Sequence, residues 1–159
     1  VELFHDLKEL NSDQRFDVIS LFHVIEHLND PLHLLSQLKP YLNNNGKIIL
    51  EFPNADDALL TLYQSQAFSR FTYWSCHLML FNETSINYLI DQCDSLKITS
   101  VQQVQRYPLS NHLFWLSQQK PGGHEKWAFL DFEKMHQVYE QTLAKLGCCD
   151  RLWVEIEQY

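Results

Sequence analysis

Residues Phe16 to Pro31, FDVISLFHVIEHLNDP, constrain this chain more than any other stretch. Asp17 to Phe22 is a short β-rich run, mostly apolar. That is the pattern of a strand covered on both faces in a parallel sheet. It leads directly into three ionisable side chains, His23, Glu26 and His27, and then into a helix start. Asp30 can accept the free amide hydrogens of a first turn, and Pro31 suits the first helical position. Leu32, Leu35, Leu38 and Leu42 then form one stripe at helical spacing, with Pro40 expected to distort the last turn. Asn43-Asn44-Asn45-Gly46 reads as the helix end, with Gly46 free to take a positive φ. Lys47 to Phe52 reads as a second buried strand, broken by Pro53-Asn54. Strand, helix, strand is a βαβ unit. In open α/β sheets, ligands bind at the carboxyl ends of the strands, where His23, Glu26 and His27 fall.

The flanking segments read more simply. Val1 to Phe4 looks like the tail of a strand, with His5-Asp6-Leu7 as a loop. Ala55 to Gln66 reads as a loose helix. Phe68 to Phe81 is aromatic and irregular, either a loop folded over a site or a satellite core cluster. Glu83 to Cys93 reads as a helix capped by Thr84 or Ser85, and Leu96 to Gln105 as an alternating strand. Ser110 can cap a short helix through Leu116, and Lys120-Pro121-Gly122-Gly123 is a breaker. Phe132 to Leu146 predicts a longer helix with Met135, Val138, Tyr139, Thr142 and Leu146 facing inward, closed by Gly147. Arg151 to Glu157 alternates strictly, as a last strand does. With no repeats or long linkers, residues 1–159 are expected to form one domain.

The formal net charge over 159 residues is -8, with no basic run. That disfavours a nucleic-acid partner. No apolar stretch is long enough to cross a bilayer, and no signal-peptide pattern opens the chain. A cytoplasmic protein without a membrane partner is expected. The four cysteines lack metal-knuckle spacing and read as small core apolars in a reducing setting.

By spacing alone, His23-x-x-Glu26-His27 matches the H-x-x-E-H pattern of inverted zinc peptidases. That chemistry needs the histidines on one helical face, whereas here they sit between a strand end and a helix start. The whole run resembles the fourth-strand region of class I S-adenosylmethionine-dependent methyltransferases, of the ubiquinone-biosynthesis O-methyltransferase type. The resemblance rests on Phe16-Asp17-Val18-Ile19, Glu26-His27-Leu28, Asp30-Pro31, Leu38-Lys39-Pro40, Gly46 and Pro53-Asn54. His77-Leu78 and Phe81 extend it, so that it covers at least Phe16 to Val104.

The resemblance implies an α/β fold, a doubly wound Rossmann-like sheet of strand order 3-2-1-4-5-7-6. It implies S-adenosylmethionine as cofactor and a small-molecule methyl acceptor. Asp6 and Leu7 fall where the family meets the adenine, and Phe22 and His23 beside the methionine part. Glu26, His27 and His77 face the acceptor, with His27 or His77 as the base. His27 as a mere capping or packing residue of the turn is the competing reading. In some relatives an acid three residues before the Glu-His pair helps hold a divalent metal. Here His23 takes that place, which disfavours magnesium and leaves zinc, manganese or no metal open. No metal ligand is assigned.

The family's glycine-rich cofactor loop has no counterpart among Gly46, Gly122, Gly123 and Gly147. The expectation is therefore a carboxyl-terminal part of a methyltransferase domain, lacking its first strands and inactive alone. A helical insertion is expected at 106–149, carrying Tyr107, Phe114, Trp115 and Trp127. Asp17 to Phe22 would then be an exposed apolar edge, and a homodimer through the 17–22 strand is expected. Two alternatives to the methyltransferase stay open: a non-catalytic interaction module of the same fold, and a zinc hydrolase using His23, Glu26 and His27.

Overall fold

The computed structural model describes residues 2–74 and 76–159. β1 (Phe16–Phe22) and β2 (Leu42–Pro53) run parallel and are joined by α1 (Pro31–Leu38). The Asp30 carboxylate accepts from the His33 amide at 2.9 Å, which fixes the start of α1. Leu35 and Leu38 carry the buried side of the helix into the main core beside Leu42. At Pro40 the chain tightens into a 3-10 turn over Lys39–Tyr41, as the missing amide and the ring require.

Several sequence expectations change here. Asn43 to Gly46 opens β2 rather than closing α1, and Gly46 has no positive φ. Glycine is needed there for close approach: a Cβ would stand 2.8 Å from the Phe16 carbonyl oxygen. β1 is not covered on both faces; it is the sheet edge, and Val18 and Phe22 are 54% and 49% exposed. Residues 2–4 form no strand, and Val1 lies outside the described residues. Asp6 instead caps a 3-10 turn over Leu7–Glu9, accepting from the Lys8 amide at 2.9 Å.

The sheet order is β1-β2-β4-β3, with β4 (Arg151–Gln158) antiparallel to both β2 and β3 (Leu96–Val104). It reproduces the last four positions of the order that the resemblance implies. β2 and β4 are central, and Ile48, Leu50, Phe52, Leu152, Val154 and Ile156 alternate into the core. On their other face Lys47 bridges Glu155 and Glu157 at 2.9 and 3.4 Å.

The expected loose helix at 55–66 is only the short α2 (Ala58–Thr61), and Phe68 begins no loop because it lies in α3 (Gln66–Thr72). α4 (Glu83–Asp91) is capped by Asn82, not Thr84 or Ser85. Asn82 and Ser85 exchange amide-to-side-chain bonds of 2.9 Å each, a capping box. α5 (Leu109–Gln118) has no side-chain cap, because Ser110 is buried and donates to Asp131 Oδ2 at 2.7 Å. α6 (Gly123–Lys126) follows Gly122, which takes φ 112. Gly123 lies against α5 so closely that a Cβ would stand 2.5 Å from that of Phe114.

α7 (Glu133–Leu146) is closed by Gly147 at φ 72, as expected, but of its expected inward face only Tyr139 packs inward. Met135, Val138 and Leu146 are exposed. The helix docks instead through Leu143, with Tyr139, on a second cluster of Ala58, Cys148 and Cys149. All four cysteines are free. Among the described residues, no helix is long and apolar enough to cross a membrane.

Candidate functional site

Where β1 ends, His23 takes φ 53, a left-handed conformation uncommon outside glycine, and its amide donates to the Glu51 carbonyl at 2.8 Å. A 3-10 turn over Ile25–His27 follows. His23 is thus outside any helix, and His23, Glu26 and His27 do not share the helical face that the inverted zinc-peptidase chemistry needs.

Glu26 is 1% exposed. Its Oε1 lies 3.1 Å from His23 Nδ1, while its Oε2 is buried without a hydrogen-bond partner. His23 Nε2 is also buried and unpartnered, 3.6 Å from Glu51 Oε1, which stands 3.9 Å from Arg151 Nε. Alternating acidic and basic groups therefore cross the carboxyl ends of the two parallel strands.

The turn also recruits a distant segment. The Glu26 carbonyl accepts the amides of Leu78 and Met79 at 2.9 and 3.2 Å. That places His77 against His27, with ring centroids 5.0 Å apart. His23, Glu26, His27 and His77 are therefore brought together. Phe22 stands beside them, exposed, its ring 5.6 Å from that of Trp153. Asp6 and Leu7 are placed apart: Tyr41, just before β2 begins, donates its hydroxyl to the Leu7 carbonyl at 3.3 Å.

A cavity of about 240 Å³ opens at this end of the sheet, touching both His23 and His77. Phe68 and Phe71 of α3 and Trp115 of α5 give it an aromatic side, with ring centroids of 5.3 and 5.2 Å to Trp115. Tyr107 also reaches it, whereas Phe114 and Trp127 of the same segment pack on each other. A larger depression of about 810 Å³ lies among Arg15, Lys39, Asn44 and Gln158, at the amino ends of the parallel strands. The ligand rule for open sheets favours the carboxyl-end cavity.

The polar side of the cavity holds residues that sequence reasoning missed: Asn54, Asp57, His112 and Asp150. Asn54 is a latch, donating to the Cys149 carbonyl at 2.9 Å while its amide donates to the Asp150 carbonyl at 3.1 Å. Asp150 accepts the Arg106 and Tyr107 amides, each at 2.9 Å, and the Gln105 side chain at 3.2 Å. Burial nevertheless holds its carboxyl above the ordinary range.

Asp57 caps α2 by accepting the Leu59 amide at 2.6 Å. Burial, with repulsion from Asp150 added, pushes its carboxyl up to about 7. His112 is buried and pushed down to about 4. Gln105 Nε2 stands 3.3 Å from His112 Nε2, so that nitrogen accepts and Nδ1–H donates to the Tyr139 hydroxyl at 2.6 Å. Tyr139 and Tyr63 share a hydroxyl contact of 3.0 Å, and burial pushes the Tyr139 phenol up. One signal was available in the sequence: Asp150 stands between Gly147-Cys148-Cys149 and the alternating strand that begins at Arg151.

An open α/β sheet with an antiparallel strand inserted near its edge defines a Rossmann-like fold, here with a polar, aromatic-walled cavity at the carboxyl ends of its parallel strands. Residues 1–94 match the family model described as a methyltransferase domain, and the chain belongs to that family. Solved structures similar to it include the plantazolicin methyltransferase BpumL in complex with SAH and a triazolic desmethylPZN analog, with TM-score 0.52 and 19% identity. They also include the mitomycin 7-O-methyltransferase MmcR, with TM-score 0.54 and 12% identity. A third is a SAM-dependent methyltransferase from Archaeoglobus fulgidus, with TM-score 0.50 and 14% identity. The matches cover 96%, 99% and 96% of this chain and 57%, 33% and 63% of those chains. The chain thus spans between a third and two thirds of the length of these neighbours. No curated protein matches it.

Proposed function

We propose that the protein containing this chain transfers a methyl group from S-adenosylmethionine to a small-molecule acceptor, at oxygen or carbon. The carrying observation is the cavity at the carboxyl ends of β1 and β2, reached by His23 and His77 and walled by Phe68, Phe71 and Trp115. The β1 corner fits the cofactor: Phe22 offers an exposed apolar ring, and His23 Nε2 is a buried polar atom without a partner. Phe22 and His23 would hold the methionine side; Asp6 and Leu7, expected at the adenine, lie apart from this corner beside Tyr41. The cofactor supplies an electrophilic methyl on a good leaving group, so alignment does most of the work.

The chain's own residues orient the acceptor and take its proton. His77 donates Nδ1–H to the Thr72 carbonyl at 2.7 Å, which leaves Nε2 as an acceptor. It is the base of the reading because it reaches the cavity. His27 and Glu26 stand behind it.

The test is calorimetric titration of S-adenosylmethionine into the whole protein, followed by methyl transfer to a panel of small hydroxylated aromatics. His77→Ala is expected to lower kcat by about 10²–10⁴-fold while leaving cofactor affinity unchanged. A whole protein that binds no S-adenosylmethionine overturns the reading in favour of a non-catalytic interaction module.

A further inference from the structure

We propose that His27, Cys76 and His77 form a zinc site at the outer rim of the cavity, with Glu26 behind it. One donor atom from each of the three lies within 4.8 Å of the others. A tetrahedral zinc wants such donors roughly 3.5 Å apart, so a modest closure completes the set.

The tautomers are already set for metal. His27 Nδ1 faces the Cys76 carbonyl at 2.5 Å, and His77 Nδ1 faces the Thr72 carbonyl at 2.7 Å. A carbonyl only accepts, so each Nδ1 carries the proton and each Nε2 keeps its lone pair. This is the arrangement in which an outer hydrogen bond orients a ligating imidazole.

The second observation is Glu26. It is 1% exposed, its Oε2 has no partner, and its Oε1 lies 3.9 Å from His27 Nε2. A buried carboxylate with one unpaired oxygen, beside the His27 imidazole, is costly unless a cation comes to it.

This set shares His27 with the site implied by the Glu-His pair of some relatives and takes Cys76 and His77 as its other ligands. There a third group three residues earlier completes the site; here that group, His23, is engaged with Glu26 Oε1. One thiolate and two imidazoles select zinc over magnesium or calcium. Binding forms one S–Zn and two N–Zn bonds and releases the thiol proton of Cys76 to solvent. It also occupies the His77 lone pair that the proposed base needs, so zinc and proton abstraction compete for one nitrogen.

The test uses cobalt(II) as the probe, titrated into the purified reduced chain and followed by absorption. The expected result is one equivalent bound, a thiolate-to-cobalt charge-transfer band, and displacement by zinc. Cys76→Ser is expected to abolish that band, and Cys93→Ser to keep it. Glu26→Gln is expected to weaken zinc about 10–100-fold. No charge-transfer band in the folded wild type, or a band that survives Cys76→Ser, overturns the site. Cofactor binding is measured separately, so failure here leaves the methyl-transfer reading standing, and the reverse holds.

Discussion

Two buried groups on the polar side of the cavity pull the pH dependence of stability in opposite directions. Burial lifts the Asp57 carboxyl to about 7, so the folded state holds its proton longer than the unfolded chain does. Its contribution is full below about pH 4 and is lost as pH rises through 7. Burial drops His112 to about 4, so its contribution is full above about 6.5 and is lost as pH falls toward 4. Between about pH 4 and 6.5 the two slopes oppose each other. Asp57→Asn keeps an acceptor for the Leu59 amide and removes one slope. Urea unfolding of that variant is expected to show stability rising with pH more steeply than in the wild type. The difference is up to about 1.4 kcal/mol per pH unit. Identical pH profiles would show that Asp57 is ionised in the folded protein.

Elements were legible where a local rule settles them. Asp30-Pro31 marked the start of α1 because capping chemistry is carried by two adjacent residues. β4 was legible because strict alternation matches its alternating burial. The αL closure at Gly147 followed from helix geometry. What depends on a distant neighbour was not legible. Gly46 is glycine because of the Phe16 carbonyl, and α7 shows water Met135, Val138 and Leu146 because it meets the Ala58–Cys149 cluster through Leu143, Tyr139 and Ala144. At the site, the His23-Glu26-His27 turn was visible, and the Asp150-Gln105-His112 network was not, because each member is satisfied from another element.

β1 is the element where the edge itself can be tested. Among the described residues it is hydrogen-bonded on one side only, by β2, and Val18 is exposed on it. An apolar edge of this kind pairs readily with a second chain. This chain is expected to associate as concentration rises, and Val18→Lys is expected to raise the dissociation constant at least about tenfold, since edge lysines oppose pairing. Sedimentation across a dilution series measures both. A monomer at every concentration removes the expected homodimer.

The whole molecule divides into a sheet core that seven buried side chains of β2 and β4 build, among them Ile48, Leu50, Phe52 and Ile156, and a smaller cluster that holds α7. The helix is tied to the rest by few groups. Leu143 is its buried apolar contact, and Tyr139 links it through His112 to α5 and through Tyr63 to the segment after α2. Regions with few buried contacts open first, below the free energy of global unfolding. Tyr139→Phe keeps the ring and removes the hydroxyl. It leaves the buried His112 Nδ1–H without its acceptor, at a cost of about 1–3 kcal/mol. The cost falls on the contact between α5 and α7, not on the β2–β4 ladder. Hydrogen exchange of the variant is expected to speed up in Leu109–Gln118 and Glu133–Leu146 and to stay unchanged in the middle of β2 and β4. Uniform acceleration would mean that α7 unfolds only together with the sheet. Local acceleration would mean that the aromatic wall at Trp115, carried on α5, can yield to an acceptor while the sheet beneath it holds.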